Sequence, residues 1–107
     1  MAYRIVITAP AKRQLAEIVN YLVQDCSAPR AARSLLDSYR AVRKLISALP
    51  YPFPVDEVVS SIVGDSVRKA NVDRYRAYFI VEEKDHVVAV VAFLHGSQDQ
   101  RRHFPLN

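Results

Sequence analysis

The sequence predicts an α+β domain: an N-terminal strand, a helical hairpin, then an antiparallel β-meander with a short C-terminal tail. Three observations predict it. Two long β-branched and aromatic runs, Tyr75–Val81 and Val87–Leu94, are separated by the charged tetrad Glu83-Lys84-Asp85-His86, the pattern of an antiparallel hairpin. Upstream, Leu35, Tyr39, Val42, Ile46 and Leu49 recur at spacings of four, three, four and three, which marks an amphipathic helix. The chain has 107 residues, half of them hydrophobic, enough for one core and too few for two, so residues 1–107 form a single domain.

Tyr3–Thr8 is the first strand, with Tyr3, Ile5 and Ile7 on one face and Arg4, Val6 and Thr8 on the other. Thr8 as a cap with Pro10 in the first turn starts a helix that runs to about Asp25, and Leu15, Ile18, Val19 and Leu22 form its apolar face. Cys26-Ser27-Ala28 breaks it, and Pro29 opens the second helix. That helix sets Arg30, Arg33, Arg40, Arg43 and Lys44 opposite its apolar stripe, the composition of a solvated face. Pro50, Pro52 and Pro54 end it. The short connection between the helices folds them back into a hairpin. Tyr51–Pro54 reads as an extended linker with two aromatic anchors, and Val58–Val63 as either a helical turn or a short strand. Val67–Val72, Tyr75–Glu82 and Val87–Leu94 are then consecutive strands. Val87–Leu94 is apolar throughout, as a central strand covered on both faces must be, and the first strand pairs at the edge of this meander.

Fifteen Lys and Arg oppose eleven Asp and Glu, a net charge of +4, which suits contact with nucleic acid or an acidic protein and decides neither. No apolar run is long enough to cross a bilayer, and the start of the chain shows no signal-peptide pattern, so the expected location is cytoplasmic with no membrane partner. One cysteine, Cys26, excludes an internal disulfide and a cysteine-based zinc site, and it has no designated base partner.

Three stretches carry a resemblance. Leu45-Ile46-Ser47-Ala48-Leu49-Pro50-Tyr51-Pro52-Phe53-Pro54 is a leucine-then-proline helix ending. Val67–Val81 runs through Arg68-Lys69, Val72, Tyr75 and Tyr78. Ala92-Phe93-Leu94-His95-Gly96-Ser97-Gln98-Asp99 closes the last strand. In order and spacing they resemble the RelE/ParE toxin superfamily over nearly the whole chain. The resemblance implies the toxin of a type II toxin–antitoxin module, growth-inhibitory, without metal or cofactor, and neutralised by a cognate antitoxin. A homodimer is a further expected assembly. RelE-like members cut messenger RNA on the ribosome; ParE-like members poison DNA gyrase and lack the ribonuclease residues.

Metal-free RNA cleavage needs proton transfer from the 2′-hydroxyl and stabilisation of the phosphorane charge. Arg76, directly after Tyr75, matches the arginine of the RelE pattern on the middle strand. The position of a second arginine holds Gln98, and that of a tyrosine holds Phe104. His95 and His103 remain as candidate acid and base, with Arg101 and Arg102 as a shifted phosphate clamp. As a ribonuclease the chain would use Arg76, His95 and His103. Arg68, Lys69, Arg74, Arg76, Arg101 and Arg102 are the candidate target-binding or nucleic-acid-binding cations. Tyr75, Tyr78 and Phe79 stand between base-stacking platform and core. Tyr51–Pro54 and the His95-Gly96 ending look more like the ParE branch, a resemblance that implies a binding poison of gyrase. A RelE-like ribosome-dependent endoribonuclease and an inactive member that only binds partners are the alternatives.

Overall fold

A computed structural model describes residues 2–104. The first strand, β1, is Arg4–Ile7. Thr8 is the N-cap of α1 (Ala9–Asn20), as its place before Pro10 implies. Its hydroxyl does not cap the helix, however; it donates to Val90 O at 2.9 Å, so the residue welds helix start to sheet. The helix continues into a π-helical turn, Tyr21–Asp25, closed by Cys26 N donating to Tyr21 O. Ser27 then takes a positive φ of 47°, the reversal that leads into α2 (Pro29–Ala48). Two further short helices follow, α3 (Glu57–Val63) and α4 (Gln100–His103), with β2 (Arg68–Val72), β3 (Tyr75–Glu82) and β4 (Val87–His95) between them.

The strand order is β1-β4-β3-β2: β1 lies at the edge, parallel to β4, and the other pairs are antiparallel. The apolar run of β4 is thus central. Its two faces bury separate clusters. Leu35, Tyr39 and Ile46 of α2 and Ala11 of α1 pack on Val72, Ala77, Phe79, Val88, Val90 and Phe93. On the other face Val59 of α3, Val67 and Phe104 pack on Tyr78, Ala92 and Leu94. Tyr78 and Phe79 are core residues on opposite faces, as strand alternation requires. Leu49 departs from the expected core stripe. The helix ends at Ala48, Leu49 is extended with φ −154°, and its side chain is 62% exposed.

A β-bulge adjusts the faces. Phe79 pairs with Val90 and Tyr78 with Ala92, which leaves Val91 as an extra residue in β4. The extra residue reverses the alternation, so Val88, Val90 and Phe93 all reach the helix-covered face. It also turns the N–H groups of Phe93 and His95 to the outer edge, beyond the end of β1. Two glutamine side chains serve there as the missing strand: Gln14 Oε1 accepts from Phe93 N at 2.8 Å, and Gln98 Oε1 from His95 N at 2.5 Å.

The segment between α2 and β2 is strapped down by polar contacts. Tyr51 and Tyr3 both donate to Glu83 Oε2, and Phe53 packs edge-on against Phe79 at 5.8 Å. These donors hold the Glu83 carboxyl below its usual range, and the same bonds push both phenols up. The 57–63 stretch, open between helix and strand in the sequence, is helical: Asp56 Oδ1 accepts from Val59 N at 3.0 Å, and Gly64 ends the helix at φ 82°.

Candidate functional site

The basic residues expected to bind a target fall into distinct surroundings. Arg68 Nη1 donates to Tyr51 O at 3.0 Å and Phe53 O at 2.8 Å, and its guanidinium lies over the Tyr51 ring. Lys69 Nζ reaches buried Asp56 Oδ2 at 3.4 Å. Both cations hold the 51–56 strap. Arg74 sits exposed in the β2–β3 turn, where its carbonyl accepts from Gly96 N at 2.9 Å. Arg101 and Arg102 lie exposed on α4. Arg76 is half-buried, points to the face that carries Tyr78 and Ile80, and has no side-chain hydrogen bond or ion pair among the described residues. It lines a groove with Lys69, Asn71, Val42 and Phe53.

His95 and His103 meet elsewhere, at the end of β4 on the side of Tyr75. The His95 ring is edge-on to Tyr75 at 5.2 Å. Its protonation pattern follows from its partners. Ser97 N lies 3.0 Å from His95 Nδ1, and a backbone N–H can only donate, so Nδ1 is an acceptor. The Ser97 hydroxyl, 2.6 Å from the same nitrogen, shares that role as donor. The proton of neutral His95 is therefore on Nε2. The same logic reaches His103 through Gln98. Because Gln98 Oε1 accepts from His95 N, the other end of the amide is the NH2 group. It lies 3.2 Å from His103 Nε2, which must accept, leaving the His103 proton on Nδ1. Among the described residues no side chain hydrogen-bonds His95 Nε2 or His103 Nδ1. Each imidazole thus presents an N–H and has its basic nitrogen occupied. Held this way, they offer hydrogen-bond donors and no free base.

Tyr21, Tyr75, His95 and Gln98 line two adjoining grooves, one of about 340 Å³ that also includes Gln14, Glu17 and His103, and one of about 870 Å³ that extends to Arg74, Asp73 and Cys26. The π-helical turn supplies Tyr21, whose phenol is pushed up, chiefly by its hydrogen bond to Cys26. Arg76 lines neither groove. The structure brings the two histidines together and leaves the arginine on the opposite face of the sheet.

Phe104, at the position of the RelE tyrosine, is 5% exposed and packs edge-on against Tyr78 at 5.4 Å, so it is a core residue of the second cluster. Gln14, Tyr21 and Asp56 were not singled out in the sequence. Asp56 carried a signal, an acidic cap ahead of Glu57 and the apolar Val58-Val59. Gln14 and Tyr21 carried none, because their roles depend on where β4 ends. Among the described residues no cluster of His, Cys, Asp or Glu has the makings of a metal site, and no helix is long and apolar enough to cross a membrane.

A family profile described as the ParE toxin of type II toxin–antitoxin systems, parDE, matches residues 5–100. No curated protein sequence matches. Among solved structures the chain is similar to one in the toxin–antitoxin complex RelBE2 from Mycobacterium tuberculosis, with a TM-score of 0.58 and 15% identity, covering 89% of this chain and 99% of that one. It is also similar to a chain of the archaeal RelE–RelB complex from Pyrococcus horikoshii OT3, with a TM-score of 0.61 and 21% identity, covering 92% and 100%. At these identities the likeness is one of fold.

Proposed function

The chain belongs to the ParE toxin family of type II toxin–antitoxin systems, and from that premise we propose that it inhibits growth by binding and poisoning DNA gyrase, without cutting RNA. A cognate antitoxin neutralises it. The observation that carries the choice of mechanism is the arrangement of the would-be ribonuclease residues. Cleavage at a 2′-hydroxyl needs a base for its proton and cations around the phosphorane. Here the basic nitrogens of His95 and His103 are engaged by Ser97 and Gln98. Arg76 faces away from them, Gln98 stands where a clamping arginine would, and Phe104 is packed in the core. The exposed cations of α2, Arg30, Arg33, Arg40 and Lys44, provide a positive surface suited to a gyrase–DNA complex.

Expression of the chain alone should arrest a bacterial host, and co-expression of the antitoxin should restore growth. Purified protein should trap gyrase on cleaved DNA. New cuts inside translated codons, mapped by primer extension, with no trapped gyrase, would overturn the gyrase reading.

A further inference from the structure

We infer that the groove between the π-helical turn and the end of β4 binds a nucleotide unit, its base against Tyr21 and Tyr75 and its phosphate toward Arg74. The inference is independent of the choice of gyrase, since it concerns a site on the other face of the sheet from Arg76.

The walls come first. Tyr21 is 55% exposed and its ring stands at the rim of both grooves. Tyr75 is half-buried, stacked on Phe93 at 6.1 Å with 27° between the planes and edge-on to His95 at 5.2 Å, so its ring is held in place in the wall of both grooves. Aromatic faces of this kind accept any base by stacking. The polar groups come next. A base edge is rich in ring-nitrogen and carbonyl acceptors, and the groove is rich in donors. Gln14 uses its Oε1 on Phe93 N, which leaves its NH2 group free to donate. His95 is held as the Nε2–H tautomer by Ser97, and His103 as the Nδ1–H tautomer by Gln98. Glu17 supplies one acceptor for an amino or imino group. The volume of about 340 Å³ suits a base with its sugar, and Arg74 lies in the adjoining groove that shares Tyr75, His95 and Gln98. Asp73 lies beside Arg74 but is engaged by Ser38 Oγ at 2.9 Å. The tautomers that remove the histidines from general-base work are the ones that make them readers of a base edge.

The test is a titration of the ¹⁵N-labelled protein, observed through the Gln14 side-chain amide and the imidazole nitrogens of His95 and His103. The ligands are the nucleoside 5′-monophosphates, a short single-stranded oligonucleotide and inorganic phosphate. Saturable shifts in all three side chains with nucleotides are expected, without matching shifts from phosphate alone. Tyr21→Leu, at an exposed ring, should weaken binding by about tenfold while leaving the amide spectrum of the sheet intact. The monomer and oligonucleotide arms separate a free-nucleotide site from a strand-binding one, and binding in either supports the inference. Identical shifts with phosphate alone, shifts confined to the basic face of α2, or unchanged affinity in Tyr21→Leu would each overturn it.

Discussion

Gln100 Nε2 donates to Asp56 Oδ2 at 2.6 Å across 44 residues of sequence, and so fastens the C-terminal turn to the start of α3. The same amide reaches Tyr78 Oη at 3.1 Å, and Lys69 Nζ approaches Asp56 from β2. One buried carboxylate thus joins α3, α4, β2 and β3.

Asp56 gives the fold an acid-sensitive point. Burial pushes its carboxyl up, but the Val59 N–H, Lys69 and Gln100 together outweigh that and hold it below the ordinary value. Its contribution is therefore complete above the usual carboxylate range and is lost as pH falls through that range and below it. Asp56→Ala should cost about 2–4 kcal/mol in urea unfolding at neutral pH, from the lost cap and the stranded partners. The gap between variant and wild type should shrink as the titration is repeated at lower pH.

Gln98 decides where the His103 proton resides. In Gln98→Ala the His103 ring should lose its single tautomer, seen as averaging of the two imidazole nitrogen shifts, while His95 keeps its Ser97 partner and its tautomer. The substitution should cost about 1 kcal/mol, because His95 N then turns to water. Gln98→Arg introduces the cation expected at that position of the RelE pattern. It should still produce no codon cleavage in a ribosome assay, since Arg76 remains on the far side of the sheet.

Glu83 should be visible in a tyrosine titration. Tyr3 and Tyr51 share its carboxylate and are pushed above the usual phenol range, so the wild-type absorbance change at alkaline pH should include a delayed component. The stability these bonds supply is present between the usual carboxylate range and the ordinary phenol value; it is lost as pH falls through that carboxylate range and below, and declines as pH rises through the raised phenol values. Glu83→Gln should shift the delayed component toward ordinary tyrosine. An unchanged titration would exclude the shared carboxylate in solution.

Phe104 should behave as a core residue. Phe104→Ala empties the contact with Tyr78 and opens the second cluster, at about 3–5 kcal/mol. Loss of stability with an unchanged groove on the Tyr75 face would separate this structural role from any role in ligand contact. Measuring nucleotide shifts at His95 in the folded fraction gives that comparison.

Periodicity in the sequence determined the elements and their order. The four–three spacing from Leu35 to Ile46 defined α2, the β-branched and aromatic runs either side of Glu83–His86 defined the β3–β4 hairpin, and the unbroken apolar run of Val87–Leu94 placed β4 at the centre. Each is a local pattern, set by the period of helix or strand. Tertiary structure alone decided the rest. The bulge at Val91 reverses the alternation of β4, and nothing in a uniformly apolar run marks where that happens. The short β1 leaves two N–H groups of β4 without a strand; Gln14 answers one from across 79 residues of sequence, and Gln98 the other from the turn just beyond β4. That answer fixes one histidine tautomer, while Arg76 remains across the sheet. Matching of residue types suggested a catalytic set; the pleat of the sheet and the direction of each N–H separated its members.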